Sequence, residues 1–371
     1  MLKQRTFQKH PRLTLFVTVI TLSVLVLSGF EATLYLFLKF PQLNNYFPYF
    51  KSTVTSVYFS RDRNILQFMP ECARYDDELA YTLKPGEFDF CNREYCNHYS
   101  VNSMGLRDDE ASLHQPELIV LGDSYALGWG VEQGETFEQI IEKQTGRKAL
   151  NAGVSSYGTA REVLLLNRLD TTRLKYLVIQ YSENDFLENQ DYAARNFHLD
   201  KMTKEEYEGE CRKHASVSRK YFPLMFTTFF AREIKKKFEE KFSRKIQDTD
   251  ESVRSLPAAL SKMDSQNISS PDSGNVQAPK LFLEILSHSQ ARNVPAVVLN
   301  LSHHTLDTRS FIQHLDLLKE SGDYSLFIRK MKLIDASSFL DKNDYYIIDD
   351  HLNASGHRKV ADAIMKAINE N

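Results

Sequence analysis

The rhythm of apolar positions changes several times along the chain. From 13 to 30 they run without a charge, and after the single Glu31 the run resumes over 32–38. Crossing a bilayer takes about 20 mostly apolar residues, so 13–38 predicts one membrane-spanning helix. From 117 onward, short continuous apolar runs alternate with amphipathic stretches. Leu118-Ile119-Val120-Leu121, Tyr176-Leu177-Val178-Ile179 and Ala296-Val297-Val298-Leu299 read as strands buried on both faces, with shorter ones at Ala149-Leu150-Asn151 and Lys332-Leu333-Ile334. A helix follows the capping box Thr136-x-x-Gln139, with Phe137, Ile140 and Ile141 on one face and Gly146 as its stop. Further helices are predicted at 159–169, at 280–290 and from about Ser355, where Val360, Ile364, Ala367 and Ile368 share a face. Strand and helix in alternation imply parallel strands, right-handed crossovers and an open, doubly wound α/β sheet.

Two stretches break this pattern. Residues 44–68 mix Tyr and Phe with polar residues and suit a stalk or interfacial segment, and 75–109 carries the turn signals Lys84-Pro85-Gly86 and Ser103-Met104-Gly105, which predict a short irregular or hairpin lead-in. Farther on, 201–245 is helical in pattern and heavily charged, with an aromatic patch at 222–230, and 264–279 is a linker rich in Ser, Asp, Asn and Pro. A helical insertion with a tether at about 186–279 accounts for both. The basic run at 232–245 reads as a solvated helix face with paired charges, contact with anionic lipid being the alternative. The chain therefore divides into a tail (1–12), an anchor (13–38), a stalk and lead-in (39–112) and an α/β domain (113–371).

At 371 residues and 42% apolar content the chain can bury a sizeable core, and a formal charge of −3 gives no electrostatic reason for a nucleic-acid partner. Lys3, Arg5, Lys9 and Arg12 before the apolar run place the N-terminus in the cytoplasm. The expected location is thus the inner membrane, single-pass, with the α/β domain on the periplasmic or extracellular side. A cleaved signal peptide, with Val26-Leu27-Ser28 as its processing site, is the competing reading. Cys72, Cys91, Cys96 and Cys211 all fall on the exported side, where one or two disulfides are expected, Cys91 and Cys96 being closest in spacing. A C-x4-C pair without a second cluster is a poor zinc signal.

In an open parallel sheet, ligands bind at the carboxyl ends of the strands. Those ends carry Gly122-Asp123-Ser124, Asn151-Ala152-Gly153, Ser182-Glu183-Asn184-Asp185 and Ser302-His303-His304, and Asp349-Asp350-His351 precedes the last helix. A hydroxyl nucleophile needs a base, an acid that orients the base, and donors where an oxyanion develops. Ser124, His351 and Asp349 supply the first three, and the donors are the backbone N–H of Ser124 and Gly153 with the side-chain amide of Asn184.

These blocks resemble the SGNH (GDSL-type) hydrolase family. Gly122-Asp123-Ser124 matches its first block, Gly153 its second, Asn184-Asp185 its third, and Asp349-x-His351, followed by Asn353 and Gly356-His357, its last. The resemblance implies a flavodoxin-like sheet, Ser124 as nucleophile, Gly153 and Asn184 in the oxyanion hole, and Asp349 and His351 as the acid–base pair. Leu83-Lys84-Pro85-Gly86 and Asn102-Ser103-Met104-Gly105-Leu106-Arg107 resemble the segment before the hydrolase domain in membrane-anchored bacterial members linked to envelope polysaccharides. Two departures stand out: Ser182 occupies a position that is usually Gly, and Asp349 is two residues before the histidine where many members have three. About half the chain is covered, the insertion lying outside.

Other chemistries fit less well. Asp349, Asp350, His351 and His357, with His303 and His304, are the ligand types for Zn or Mn, but no His-x-x-x-His or Cys pair accompanies them. His303 and His304 read as rim structure or a substrate contact. Gly-x-Ser-x-Gly would need glycine where Ala126 stands, and no Gly-x-Gly-x-x-Gly follows the first strand. Neither a cofactor nor a metal is expected. The function expected is removal or transfer of acyl groups on an extracytoplasmic polysaccharide or lipid, with a catalytically silent scaffolding subunit as the alternative.

Overall fold

The structure, a computed structural model, describes residues 10–217, 219–247, 277–303, 309–320 and 325–369. The described chain falls into two units.

The smaller unit takes in residues 10–63 and 219–247. Its helix Pro11–Lys39 starts with proline at the first position, where no intrahelical N–H is needed, and is the one described helix long and apolar enough to cross a membrane. Glu31, the lone charge in its apolar run, accepts the N–H groups of Phe226 (3.1 Å) and Thr227 (2.6 Å). Those belong to the first turn of the helix Met225–Gln247, where orphan donors and the positive end of the helix dipole favour a carboxylate. Phe30 packs edge-on against Phe230 and Phe50, so the aromatic residues at 44–50 and 222–230 pack within one unit. Residues 225–247 group with the N-terminal helix and 185–216 with the sheet, so the expected insertion is divided between the units. Its tether over 264–276 lies outside the described residues.

In the larger unit, two antiparallel hairpins precede the sheet: β1 (Ala73–Asp76) with β2 (Ala80–Leu83), and β3 (Gly86–Cys91) with β4 (Cys96–Val101). Cys91 and Cys96 face each other in register and form the single disulfide among the described residues. Cys72 and Cys211 are buried thiols, and burial pushes Cys72 up to about 12. The lead-in is no detached stalk. Arg107, fully buried, lies over the Tyr99 ring and donates to the carbonyls of Gly128 (2.6 Å) and Val131 (2.7 Å), while Asp108 accepts the N–H of Asn151 (2.9 Å).

The main sheet has five parallel strands: β5 (Leu118–Gly122), β6 (Ala149–Gly153), β7 (Tyr176–Tyr181), β8 (Ala296–Asn300) and β9 (Lys332–Asp335). Their spatial order is β6-β5-β7-β8-β9, the flavodoxin-like doubly wound arrangement. Alternate side chains serve opposite faces. Ile119, Leu121, Leu177 and Ile179 meet the helices Thr159–Leu166, Gln277–Ser287 and Arg309–Glu320, whereas Leu118, Val120, Val178 and Val297 meet Phe137–Thr145 and Ala354–Asn369. Full burial of each such side chain contributes about 1.5–3 kcal/mol.

Local expectations fail where side chains choose distant partners. Thr136 caps Gln139 N–H (3.3 Å), but the Gln139 amide turns to Asp108 and does not complete the capping box. The helix expected at 280–290 begins at Gln277, with Pro279 tolerated in its first turn, and the helix expected to 169 ends at Leu166. Arg309–Glu320 and Leu326–Arg329 are helices that the apolar pattern did not reveal.

One buried acid sets a test of the core. Glu162 is fully buried and its carboxyl oxygens have no hydrogen-bond partner among the described residues. Burial first, then repulsion from Asp185 and Asp123, holds its carboxyl well above the usual range, so it folds protonated. The unfolded chain releases that proton above about pH 4.3, so the stability cost grows as pH rises toward the folded-state value. Glu162→Gln should raise Tm at pH 8 and change it little at pH 5; a gain that does not grow with pH would contradict this assignment.

Candidate active site

β5 ends in a turn with no room for side chains. A Cβ on Gly122 would stand 2.5 Å from Gln180 Oε1 and 2.6 Å from Ala126 Cβ, and its φ is +154°. Glycine is therefore required there for the chain to pass under the turn. Asp123 caps the short helix Ser124–Leu127 by accepting the N–H of Tyr125 (2.9 Å), which leaves Ser124 half-exposed at its first position. Gly153, paired in register with Gly122 at the end of β6, backs directly onto this helix: a Cβ there would lie 2.3 Å from Leu127 N.

The loop between β9 and the last helix brings Asp349 and His351 to the same place. It is closed by the Tyr345–Leu352 bridge and the Tyr346 N–H to His351 carbonyl bond (3.0 Å), and Asn353 ties it down by donating to Asn343 and Tyr345 carbonyls. His351 Nε2 lies 2.7 Å from Ser124 Oγ, and its Nδ1 lies 2.6 Å from Asp349 Oδ1, which also accepts the His351 backbone N–H (3.2 Å). Both side chains are buried. The Trp129 ring stacks on the imidazole at 4.8 Å and 12°, and the Tyr125 ring flanks it at 5.2 Å. An imidazole held between a hydroxyl and a buried carboxylate can take the hydroxyl proton and carry the resulting charge.

Of the expected oxyanion donors, Asn184 is exposed at the end of β7, beside the turn. Gly153 N–H donates to the Asn151 side chain (3.0 Å), which in turn donates to the Ala126 carbonyl (3.1 Å). Ser182, standing where glycine is usual, carries structure of its own: its hydroxyl donates to Asp123 Oδ2 (2.7 Å) and hydrogen-bonds Asn184. Burial raises Asp123, opposed by the donors Tyr125 N–H and Ser182 OH. Asp185 is raised by burial and by Asp123 and accepts from Thr159 (2.9 Å).

Asp349, Asp350 and His351 place ligand-type atoms within 4.8 Å of one another. Yet the imidazole nitrogen that faces both carboxylates is Nδ1, at 2.6 and 3.3 Å, so a cation there would displace the bond to Asp349. His357 is not part of this group. It lies inside the helix Ala354–Asn369, accepts the Phe137 N–H (3.3 Å) and stacks on the Phe137 ring, and burial pushes it down to about 3. His303 stands with its ring 5.8 Å from Tyr345, and His304 lies outside the described residues.

An open cleft of about 590 Å³ includes Gln67, Phe68, Tyr81, Ser156, Arg161 and Glu188 in its lining. Ser156 follows Gly153 by three residues and Glu188 follows Asn184 by four, so two of its walls continue from candidate oxyanion loops. Gln67 fixes the first of these by bonding Ser155 (2.9 Å) and Ser156 (3.0 Å), and Arg161 joins the two through Glu188.

No family model matches the chain, and no curated protein matches it. Among solved structures it is similar to a member of the lipolytic protein G-D-S-L family from Veillonella parvula DSM 2008, at 12% identity and TM-score 0.37, over 68% of this chain and 98% of that one. It is also similar to a carbohydrate esterase family 2 enzyme with a carbohydrate-binding domain from Corynascus thermopiles (Myceliophthora fergusii), at 12% identity and TM-score 0.34, over 71% and 68% of the two chains.

Sequence reading alone did not find Trp129, Tyr95 or Glu94, which surround the Asp349 loop. No spacing rule links them to it. The packing of the nucleophile turn is open to a direct test. Gly153→Ala forces the Ser124–Leu127 helix off its seat, so thermal melts should show a loss of about 1–3 kcal/mol. Wild-type Tm would show that the turn has room to shift.

Proposed function

We propose that the chain is a serine esterase of the SGNH (GDSL) type that removes or transfers acyl groups. The observation that carries this reading is the line from Ser124 Oγ through His351 (2.7 Å) to Asp349 (2.6 Å), at the carboxyl edge of a parallel sheet. Ser124 attacks the acyl carbonyl while His351 takes its proton. The Ser124 N–H and the Asn184 amide stabilise the oxyanion, and Gly153 joins them if its N–H exchanges the Asn151 oxygen for the substrate. His351 then returns the proton to the departing alcohol oxygen, and water or an acceptor hydroxyl resolves the acyl-enzyme. Asp349 orients the imidazole and offsets its positive charge.

The substrate side is read from the cleft. Phe68 and Tyr81 line it beside Gln67, Arg161 and Glu188, a mixture of aromatic and polar side chains suited to a sugar ring with its ester, and so to an acylated glycan more than to a lipid chain. The helix Pro11–Lys39 supports a membrane anchor, with the basic residues before it on the cytoplasmic side and the esterase outside.

The full chain in detergent should hydrolyse 4-nitrophenyl acetate and be labelled by a fluorophosphonate. Ser124→Ala should abolish labelling and lower kcat by about 10⁴-fold or more, and His351→Ala should do nearly as much, because residues acting as a unit are not additive. A folded Ser124→Ala protein that keeps its rate would put the chemistry elsewhere, and a folded wild type with neither turnover nor labelling would point instead to a binding or scaffolding role.

A further inference from the structure

The turn that joins β3 to β4 reaches into the Asp349 loop, although 254 residues separate Tyr95 from Asp349. The Glu94 carboxylate accepts three consecutive backbone N–H groups, from Ile347 (2.7 Å), Ile348 (2.8 Å) and Asp349 (2.9 Å). A loop that presents three donors in a row to one carboxylate has little freedom left to reorient its next residues. Beside it, the Tyr95 hydroxyl lies 2.9 Å from Asp349 Oδ2, the oxygen that His351 does not use.

The direction of that last bond follows from counting protons. A tyrosine hydroxyl has one proton and two acceptor positions. Trp129 Nε1, which can only donate, points at the Tyr95 oxygen, and so does Asn92 Nδ2 at 2.9 Å. The Asn92 amide cannot be turned the other way, because its Oδ1 accepts the Asn64 backbone N–H at 2.7 Å. With both acceptor positions filled, the only proton of Tyr95 is directed to Asp349. Trp129 thereby does two things at once: it supports Tyr95 through its N–H and stacks its face on His351.

We propose that the turn closed by Cys91–Cys96 positions the acid of the site: Glu94 holds the backbone of 347–349, and Tyr95 is an obligate donor that fixes the Asp349 carboxylate toward His351. This rests on the esterase reading above and adds Glu94 and Tyr95 to it as positioning residues. It also gives the disulfide a role in activity. The cross-link joins the two ends of the six-residue turn that carries both groups, so the site reaches its working geometry once the cysteines are oxidised.

The test uses the full chain in detergent with 4-nitrophenyl acetate, comparing wild type, Tyr95→Phe, Glu94→Gln, Glu94→Ala, the double variant Cys91→Ser/Cys96→Ser, and Ser124→Ala. Tyr95→Phe should lower kcat about 10- to 100-fold, in line with lost support of a ligand or catalytic group, with KM unchanged. The substitution removes the bond to Asp349, while the other groups facing His351 (Asp350, Asp123, Tyr125 and His357) keep their contacts. Glu94→Gln keeps one acceptor oxygen and should recover part of the rate lost in Glu94→Ala, and the serine double variant should lose kcat while keeping its melting transition. Ser124-dependent hydrolysis with wild-type kcat in Tyr95→Phe would overturn the inference alone. Hydrolysis that survives Ser124→Ala would overturn the esterase reading and the inference with it.

Discussion

Everything at the site depends on the burial of one carboxylate. Asp349 is almost wholly removed from water, and a carboxylate in that setting persists as an anion only if its oxygens are met by donors. They are met: Oδ1 by the His351 ring and backbone, Oδ2 by Tyr95. The hydrogen bonds that make the buried charge tolerable are the same ones that aim the imidazole at Ser124. Stability of the loop and orientation of the imidazole are therefore one constraint.

That constraint recruits parts of the chain that are far apart in sequence. The parallel sheet brings Gly122 and Gly153 side by side, and the absence of their side chains lets the Ser124 helix settle against the strand ends. Asp123, Ser182 and Gln180 hold the turn from below through bonds of 2.7–3.0 Å. From the other side, the lead-in contributes Arg107, Tyr95 and Glu94, so 64–112 of the segment read from sequence as stalk and lead-in belongs to the same unit as the sheet, while 39–63 belongs to the smaller one. Ser182 illustrates how a departure from a family pattern can add a contact: the hydroxyl that replaces a hydrogen atom binds Asp123 and Asn184.

The sheet was legible in the sequence because its strands are continuous apolar runs buried on both faces, and that signal is local. That the candidate site residues meet was legible for a related reason, since strand ends in such a sheet face one rim. What stayed hidden was pairing at a distance. Nothing in the run Asn92-Arg93-Glu94-Tyr95 marks it as the partner of a loop beginning at Tyr345, and Trp129 looks like any core aromatic until its stacking on His351 is seen. Helix ends failed for the same cause: Gln139 spends its amide on Asp108 and not on its own cap. The division of the insertion was also unreadable, because only three-dimensional packing pairs Glu31 with the first turn at Phe226 and Thr227.

On the esterase reading, Ser124 forms a covalent acyl-enzyme. Acid-quenching the full chain during turnover of 4-nitrophenyl acetate, digesting it and locating the acetyl group by mass spectrometry addresses that claim without relying on a substitution. An acetyl adduct on the peptide bearing Ser124, absent when the protein is pretreated with a fluorophosphonate, is the expected result. Turnover with no adduct on that peptide, or with the acetyl group on another side chain, would contradict it.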